Sequence, residues 1–175
     1  MSDPLAYLIT WTCYGTWLHG DERGSVDRHG RNSYGHPLVA ANGTLRSATA
    51  ARLPRTPFAL TAEFRTAVLA AIRGVAAHRG WVLYAVHVRS NHVHVVVGGT
   101  AAPERMLNEF KVYASRGLNA IDSELHDRPK WTRHGSTKYL WKSGELEAAI
   151  HSVAEEQGEP MAVWCSSEAR MPHSG

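Results

Sequence analysis

The sequence predicts an α+β fold: an antiparallel sheet with helices on one face, in the order strand, helix, strand, strand, helix, strand, and then a C-terminal helix. Three observations predict it. Short runs rich in β-branched and aromatic residues alternate with longer stretches of helical periodicity. Two of those runs, Trp81–Val88 and His92–Val97, are joined by only Arg89-Ser90-Asn91, tight enough for an antiparallel hairpin. Helix signals fall where the alternation needs them, Thr61 before one apolar stripe and Pro103 at the head of another.

The first strand is Leu5 to Tyr14, LAYLITWTCY. A Gly-rich stretch from Gly15 to about Pro57 follows, with Asp21-Glu22-Arg23-Gly24 as its most polar turn. It is long for a structureless loop, so it is expected to be functional or partly structured. Thr61 caps a helix whose Phe64, Val68, Ile72 and Val75 form one apolar face, and His78-Arg79-Gly80 ends it. The hairpin strands come next, the second closed by Gly98-Gly99. In the second helix Leu107, Phe110, Ala114, Leu118 and Ile121 make the buried stripe, with Lys111 and Arg116 off it. A basic, aromatic connector, Asp127 to Lys142, contains a short strand from Ser136 to Trp141. The third helix, Gly144 to Gln157, turns Leu146, Ala149, Ile150 and Val153 inward and stops at Gly158 and Pro160. The first six elements are the βαββαβ order of the ferredoxin-like plan. Residues 1–160 form the expected domain, with 15–57 as an insertion; 161–175 read as a tail without periodicity.

Composition narrows the function. The chain has 175 residues, 43% hydrophobic and 20% charged, ordinary for a globular protein. Its net charge of +3 and pI of about 9.0 fit an acidic partner such as nucleic acid without requiring one. Cys13 and Cys165 stand far apart, which excludes a disulfide framework or a Cys-pair metal site and makes a reducing cytoplasm the expected location. The opening residues lack a basic segment followed by an apolar stretch, so no secretion signal is expected, and no run reaches membrane-spanning length.

Chemistry concentrates at Asn91-His92-Val93-His94. Alternate side chains of a strand share a face, so His92 and His94 present two imidazoles side by side, a two-nitrogen bite for a divalent metal. Such a site needs further ligands, and the third helix, expected to pack nearby, offers Glu155, Glu156 and Gln157. The plain alternative is a pair of strand histidines hydrogen-bonded to neighbours.

Several stretches together resemble the HUH single-tyrosine transposases of the insertion-sequence 200/605 type, nearest the REP-associated tyrosine transposase branch. Asn91 to Val97 looks like that family's Asn-His-hydrophobic-His strand, with Ser90 where the branch often has proline. Tyr7 to Gly24 resembles the first strand and loop of a subset, Trp131 to Trp141 the last strand, and the helix ending Glu155-Glu156-Gln157-Gly158 the catalytic helix. The resemblance implies cutting and rejoining of single-stranded, hairpin-forming DNA. A Mg2+ or Mn2+ ion, held by His92, His94 and a polar residue of the last helix, would polarise the scissile phosphate. A helix tyrosine would attack phosphorus to form a 5′-phosphotyrosine and free a 3′-hydroxyl. The protein would be a monomer or a homodimer, since branches of the family differ.

One position departs from that pattern. Where the family has its tyrosine, this chain has Ser152, in Ile150-His151-Ser152-Val153. A serine hydroxyl lies several ångströms nearer the backbone than a phenol and ionises well above the roughly 10 of tyrosine. Tyr139 in the last strand and Tyr113 on the second helix are the substitute nucleophiles, each with a packing or stacking role as its alternative. For the third metal ligand, Glu156 lies one helical turn after Ser152, and Gln157 better matches the Gln-Gly ending. DNA contacts are expected from Lys111 and Arg116 on the second helix. The connector adds Arg128, Lys130, Trp131, Arg133, Lys138 and Lys142, its cations interleaved with aromatic platforms. Arg46, Arg52 and Arg55 of the loop would add to these or only solubilise. Three rival readings are a DNA-binding derivative without strand transfer, a metal-dependent single-strand nuclease using bound water, and an unrelated zinc enzyme.

Overall fold

The structure is a computed structural model that describes residues 3–16 and 55–170. Most of the expected loop, including Asp21–Gly24, Arg46 and Arg52, lies outside the described residues, as does the end of the tail. The elements are β1 (Ala6–Thr12), α1 (Ala62–Arg79), β2 (Val82–Val88), β3 (His92–Gly98), α2 (Pro103–Ile121), β4 (Ser136–Leu140), α3 (Ser143–Glu155) and β5 (Ala162–Cys165). The sheet runs β4-β1-β3-β2-β5, and every pair is antiparallel. The first four strands are the βαββαβ arrangement that the sequence predicts. β5 was not expected: the segment after Pro160 opens with a strand that pairs with β2, Ala85 facing Cys165 and Val88 facing Ala162.

Local rules account for the element ends. The Thr61 side chain accepts from the Phe64 N–H to cap α1. Gly80, at φ 70°, ends it in the left-handed conformation that glycine adopts without a steric penalty. Pro103 occupies the first turn of α2. At the head of α3 the Glu145 carboxylate accepts the N–H groups of Trp141 (2.8 Å) and Lys142 (3.2 Å), which fixes the entry from β4 into the helix.

The period-2 pattern divides the sheet into two faces. One carries Tyr7, Ile9, Trp11, Val86, Val88, Val93, Val95 and Val97 against Val68, Ile72 and Val75 of α1 and Met106, Phe110, Ala114 and Leu118 of α2. Trp11 stacks on Phe110 at 6.2 Å between centroids, and Trp81 meets that ring edge-on. The other face carries Ala6, Ala85 and Val96, covered by Ala149 and Val153 of α3. Thus α1 and α2 share one face while α3 lies across β2 and β3 on the opposite one. The stripe of α2 is slightly narrower than expected, because Ile121 in its last turn is 40% exposed.

Cys13 is fully buried beyond the end of β1, and burial pushes its thiol up to about 12. Because the thiolate is the reactive form, Cys13 is expected to resist iodoacetamide at pH 8 in the folded protein and to react once denatured. Peptide mapping of the alkylated chain reads this directly; rapid labelling without denaturant would contradict the buried placement.

Candidate metal centre

The hairpin sets the geometry of the site. The Arg89 N–H donates to the His92 carbonyl at 2.9 Å, so the turn is two residues long and Val88 faces Val93. The next rung places His87 opposite His94, and β1 completes it with Thr10 beside His94. Thr12 pairs with His92 two rungs along. The side chains of His87, His92, His94, Thr10 and Thr12 share the parity of Val96 and lie on the face that α3 covers.

His92 and His94 stand as expected, their ring centroids 4.8 Å apart. His92 Nδ1–H donates to Asn91 Oδ1 at 2.6 Å, which puts its lone pair on Nε2. His94 Nδ1 lies 3.0 Å from the Thr10 hydroxyl oxygen. In the tautomer that donates to Thr10, the His94 lone pair is on Nε2, a buried atom with no hydrogen-bond partner. Burial, aided by the charges of His92, His87 and Arg89, lowers the His94 pKa to about 4, and the Gln157 side chain beside it opposes that shift. His94 is therefore neutral at pH 7, as a metal ligand must be.

Of the two expected third ligands, the fold brings only Gln157 to the histidines. It follows the last turn of α3, and its Nε2 donates to the Ser152 carbonyl at 2.9 Å, leaving Oε1 as the available acceptor. Glu156 instead faces solvent with its carboxylate 3.5 Å from His151 Nε2, both side chains more than half exposed. Among the described residues no group of three or more His, Cys, Asp and Glu side chains could hold a metal. The groups gathered here, two imidazoles with the unpartnered His94 Nε2 and the Gln157 amide beside it, are donors that would suit a divalent cation.

His87 escaped the sequence reading. It is 1% exposed, with Nδ1–H donating to the Val153 carbonyl of α3 at 3.1 Å. Its Nε2 accepts the Met161 N–H at 3.2 Å. A turn of three residues, Arg89-Ser90-Asn91, would set His87 opposite Val93; the turn is two residues long, which sets it opposite His94.

Ser152 is half-buried on α3, whose Ala149 and Val153 pack down on the sheet. The substitute tyrosines are elsewhere. Tyr139 pairs with Tyr7, whose side chain belongs to the α1/α2 face, and packs edge-on against it at 5.1 Å. Tyr113 sits on α2, under the Arg116 guanidinium at 5.1 Å. The sheet separates both from His92 and His94, so neither is placed to attack a phosphate held there. Tyr84 lies on the histidine face, but near Gly98 at the far end of β3, on the order of 13 Å along the strand from His94.

Several expected DNA contacts are structural. Lys111 is 9% exposed and donates to the carbonyls of Thr132 (2.8 Å) and His134 (3.2 Å); burial lowers its pKa. Lys130 is likewise buried, donates to the Leu125 carbonyl, and has a pKa lowered by burial. The Trp131 indole donates to Ser115 Oγ at 2.9 Å and packs edge-on against Trp11. Arg128 is half-buried, donates to the Pro57 carbonyl and lies over Phe58. These four hold the connector and the segment before α1 against the core. Arg116, Arg133, Lys138 and Lys142 are exposed, as is Arg55. Lys138 pairs with Leu8 and so projects from the histidine face.

Residues 54–154, over half of the chain, match the family described as "Transposase IS200 like". The chain belongs to the IS200-like transposase family. Among solved structures it is similar to a REP-associated tyrosine transposase bound to a REP hairpin, at 10% identity and a TM-score of 0.48. That match covers 87% of this chain and 66% of the other, so the chain spans just under two thirds of that structure's length. A putative transposase from Deinococcus radiodurans is 14% identical with a TM-score of 0.45, over 85% of this chain and 88% of that one. No protein of curated function matches the chain by sequence. No helix among the described residues is long and apolar enough to cross a membrane.

Proposed function

We propose that this IS200-like protein binds single-stranded, hairpin-forming DNA with a divalent metal at His92, His94 and Gln157, and has lost covalent strand transfer. The observation that carries the reading is Ser152. By the sequence resemblance it takes the place of the family's tyrosine, on the helix that covers the histidine face, while Tyr139 and Tyr113 lie across the sheet from that face.

A bound Mg2+ or Mn2+ would supply a positive centre that orients and polarises a phosphate. The chain's own residues do the rest. His92 and His94 bind as neutral imidazoles oriented by Asn91 and Thr10. Gln157 contributes an amide oxygen. Lys138 offers charge to a strand crossing the same face, with Arg133 and Lys142 exposed nearby in sequence.

The test is a panel of labelled single-stranded hairpins incubated with Mg2+ or Mn2+, read by filter binding and on denaturing protein gels. Salt-dependent binding without a covalent band is the expected result, and His94→Ala is expected to abolish any metal dependence of binding. A metal-dependent protein–DNA adduct would overturn the proposal and show an active transferase. Metal-dependent nicking without an adduct would instead select the nuclease reading, with water as nucleophile.

A further inference from the structure

We propose that His87, with Arg89, is a positioning device for the metal centre: it closes the base of the segment 154–160 and thereby sets Gln157 against His94. This rests on the metal reading above for its function but not for its geometry. The His87 ring bonds both ends of that segment at once, accepting the Met161 N–H at 3.2 Å on one edge and donating to the Val153 carbonyl at 3.1 Å on the other. A neutral imidazole suits this because its donor and acceptor diverge from one rigid ring. Arg89 adds a second tie, Nη1 donating to the Glu159 carbonyl at 3.0 Å. Gly158 turns the segment with φ 78°. The segment carries Gln157, whose Nε2 is held by the Ser152 carbonyl so that Oε1 remains for a cation. His87 also faces His94 across the β2–β3 rung, so one side chain references the loop to the strand that bears the histidines. Without it, α3 would keep its apolar contacts through Ala149 and Val153 while the Gln157 amide lost its fixed position.

The experiment uses the full chain and two readouts. The first, without metal, is the NMR position of the Gln157 side-chain amide; the second is Mn2+ affinity by electron paramagnetic resonance. His87→Phe, which fills the space with neither donor nor acceptor, is expected to move the Gln157 amide signals toward those of a free side chain. It is also expected to weaken Mn2+ binding about tenfold, the lower end of what loss of such orienting groups costs. His87→Asn, which restores a donor toward Val153, recovers part of both. Arg89→Ala shifts both in the same direction but less, and it decides the matter if His87→Phe does not fold. Unmoved Gln157 signals in a well-dispersed His87→Phe spectrum, or in the Arg89→Ala spectrum that replaces it, would overturn the proposal. Failure of the unaltered protein to bind Mn2+ would sink the metal reading alone, since the Gln157 signals still decide the role of His87.

Discussion

Ser152→Tyr is expected to convert the chain from one that binds hairpin DNA without a covalent band into one that forms a metal-dependent protein–DNA adduct. Everything else that such chemistry needs is proposed to be in place: two imidazoles, the Gln157 amide and an adjacent helix. The missing part is a nucleophile of sufficient reach and acidity. A phenol ionises near 10, far below an aliphatic hydroxyl, and extends several ångströms further from the helix. Position 152 is half-buried rather than enclosed, so a larger side chain has a route toward solvent. The unaltered protein should give no band above background, and the double variant with His94→Ala should lose the band again. A Ser152→Tyr protein that binds Mn2+ and hairpin DNA yet forms no adduct would show that more than the nucleophile has been lost.

Replacing Arg133, Lys138 and Lys142 together with alanine should weaken hairpin binding and flatten its salt dependence. Each phosphate contact on a single strand contributes about 0.7 to the slope of log affinity against log salt, so loss of three lowers it by about 2. Lys111→Met and Lys130→Met should leave that slope unchanged and act on stability instead. Each removes a buried ammonium from backbone carbonyls, Thr132 and His134 in one case and Leu125 in the other. Loss of a hydrogen bond from a charged donor costs about 1.5–3 kcal/mol, even where the acceptor keeps another donor, as the Leu125 carbonyl keeps the Arg128 N–H. For a chain of this size that lowers Tm by about 3–12 °C. Titrations at several salt concentrations, with thermal melts of each variant, separate the two groups. A reduced slope for Lys111→Met would place that lysine on DNA after all.

The division between these two sets of lysines illustrates what the chain's order of residues does not reveal. Lys111 follows Phe110 at the edge of the α2 stripe, and helical periodicity alone sends it outward. It is buried because the connector at Thr132–His134 crosses over it, a contact between residues about twenty apart. Lysine's long apolar stem tolerates either fate. The tyrosines are a similar case. Whether Tyr139 shares a face with His94 depends on the β1–β4 register, which moves every side chain to the other face if it slips by one residue. β5 was illegible for another reason: four residues, AVWC, carry too little periodicity, and their conformation is set by pairing with β2.

What the sequence determined by itself is local. The period of 2 placed His92 and His94 together, the short turn marked their strand and β2 as a hairpin, and Thr61, Gly80 and Pro103 marked the helix ends. These depend only on backbone geometry within a few residues. The tertiary structure alone decided which distant groups meet: Gln157 rather than Glu156 beside His94, His87 beneath the last turn of α3, and both substitute tyrosines behind the sheet. Those outcomes depend on strand register and on the direction in which a helix crosses the sheet, and both are set by packing of the whole core.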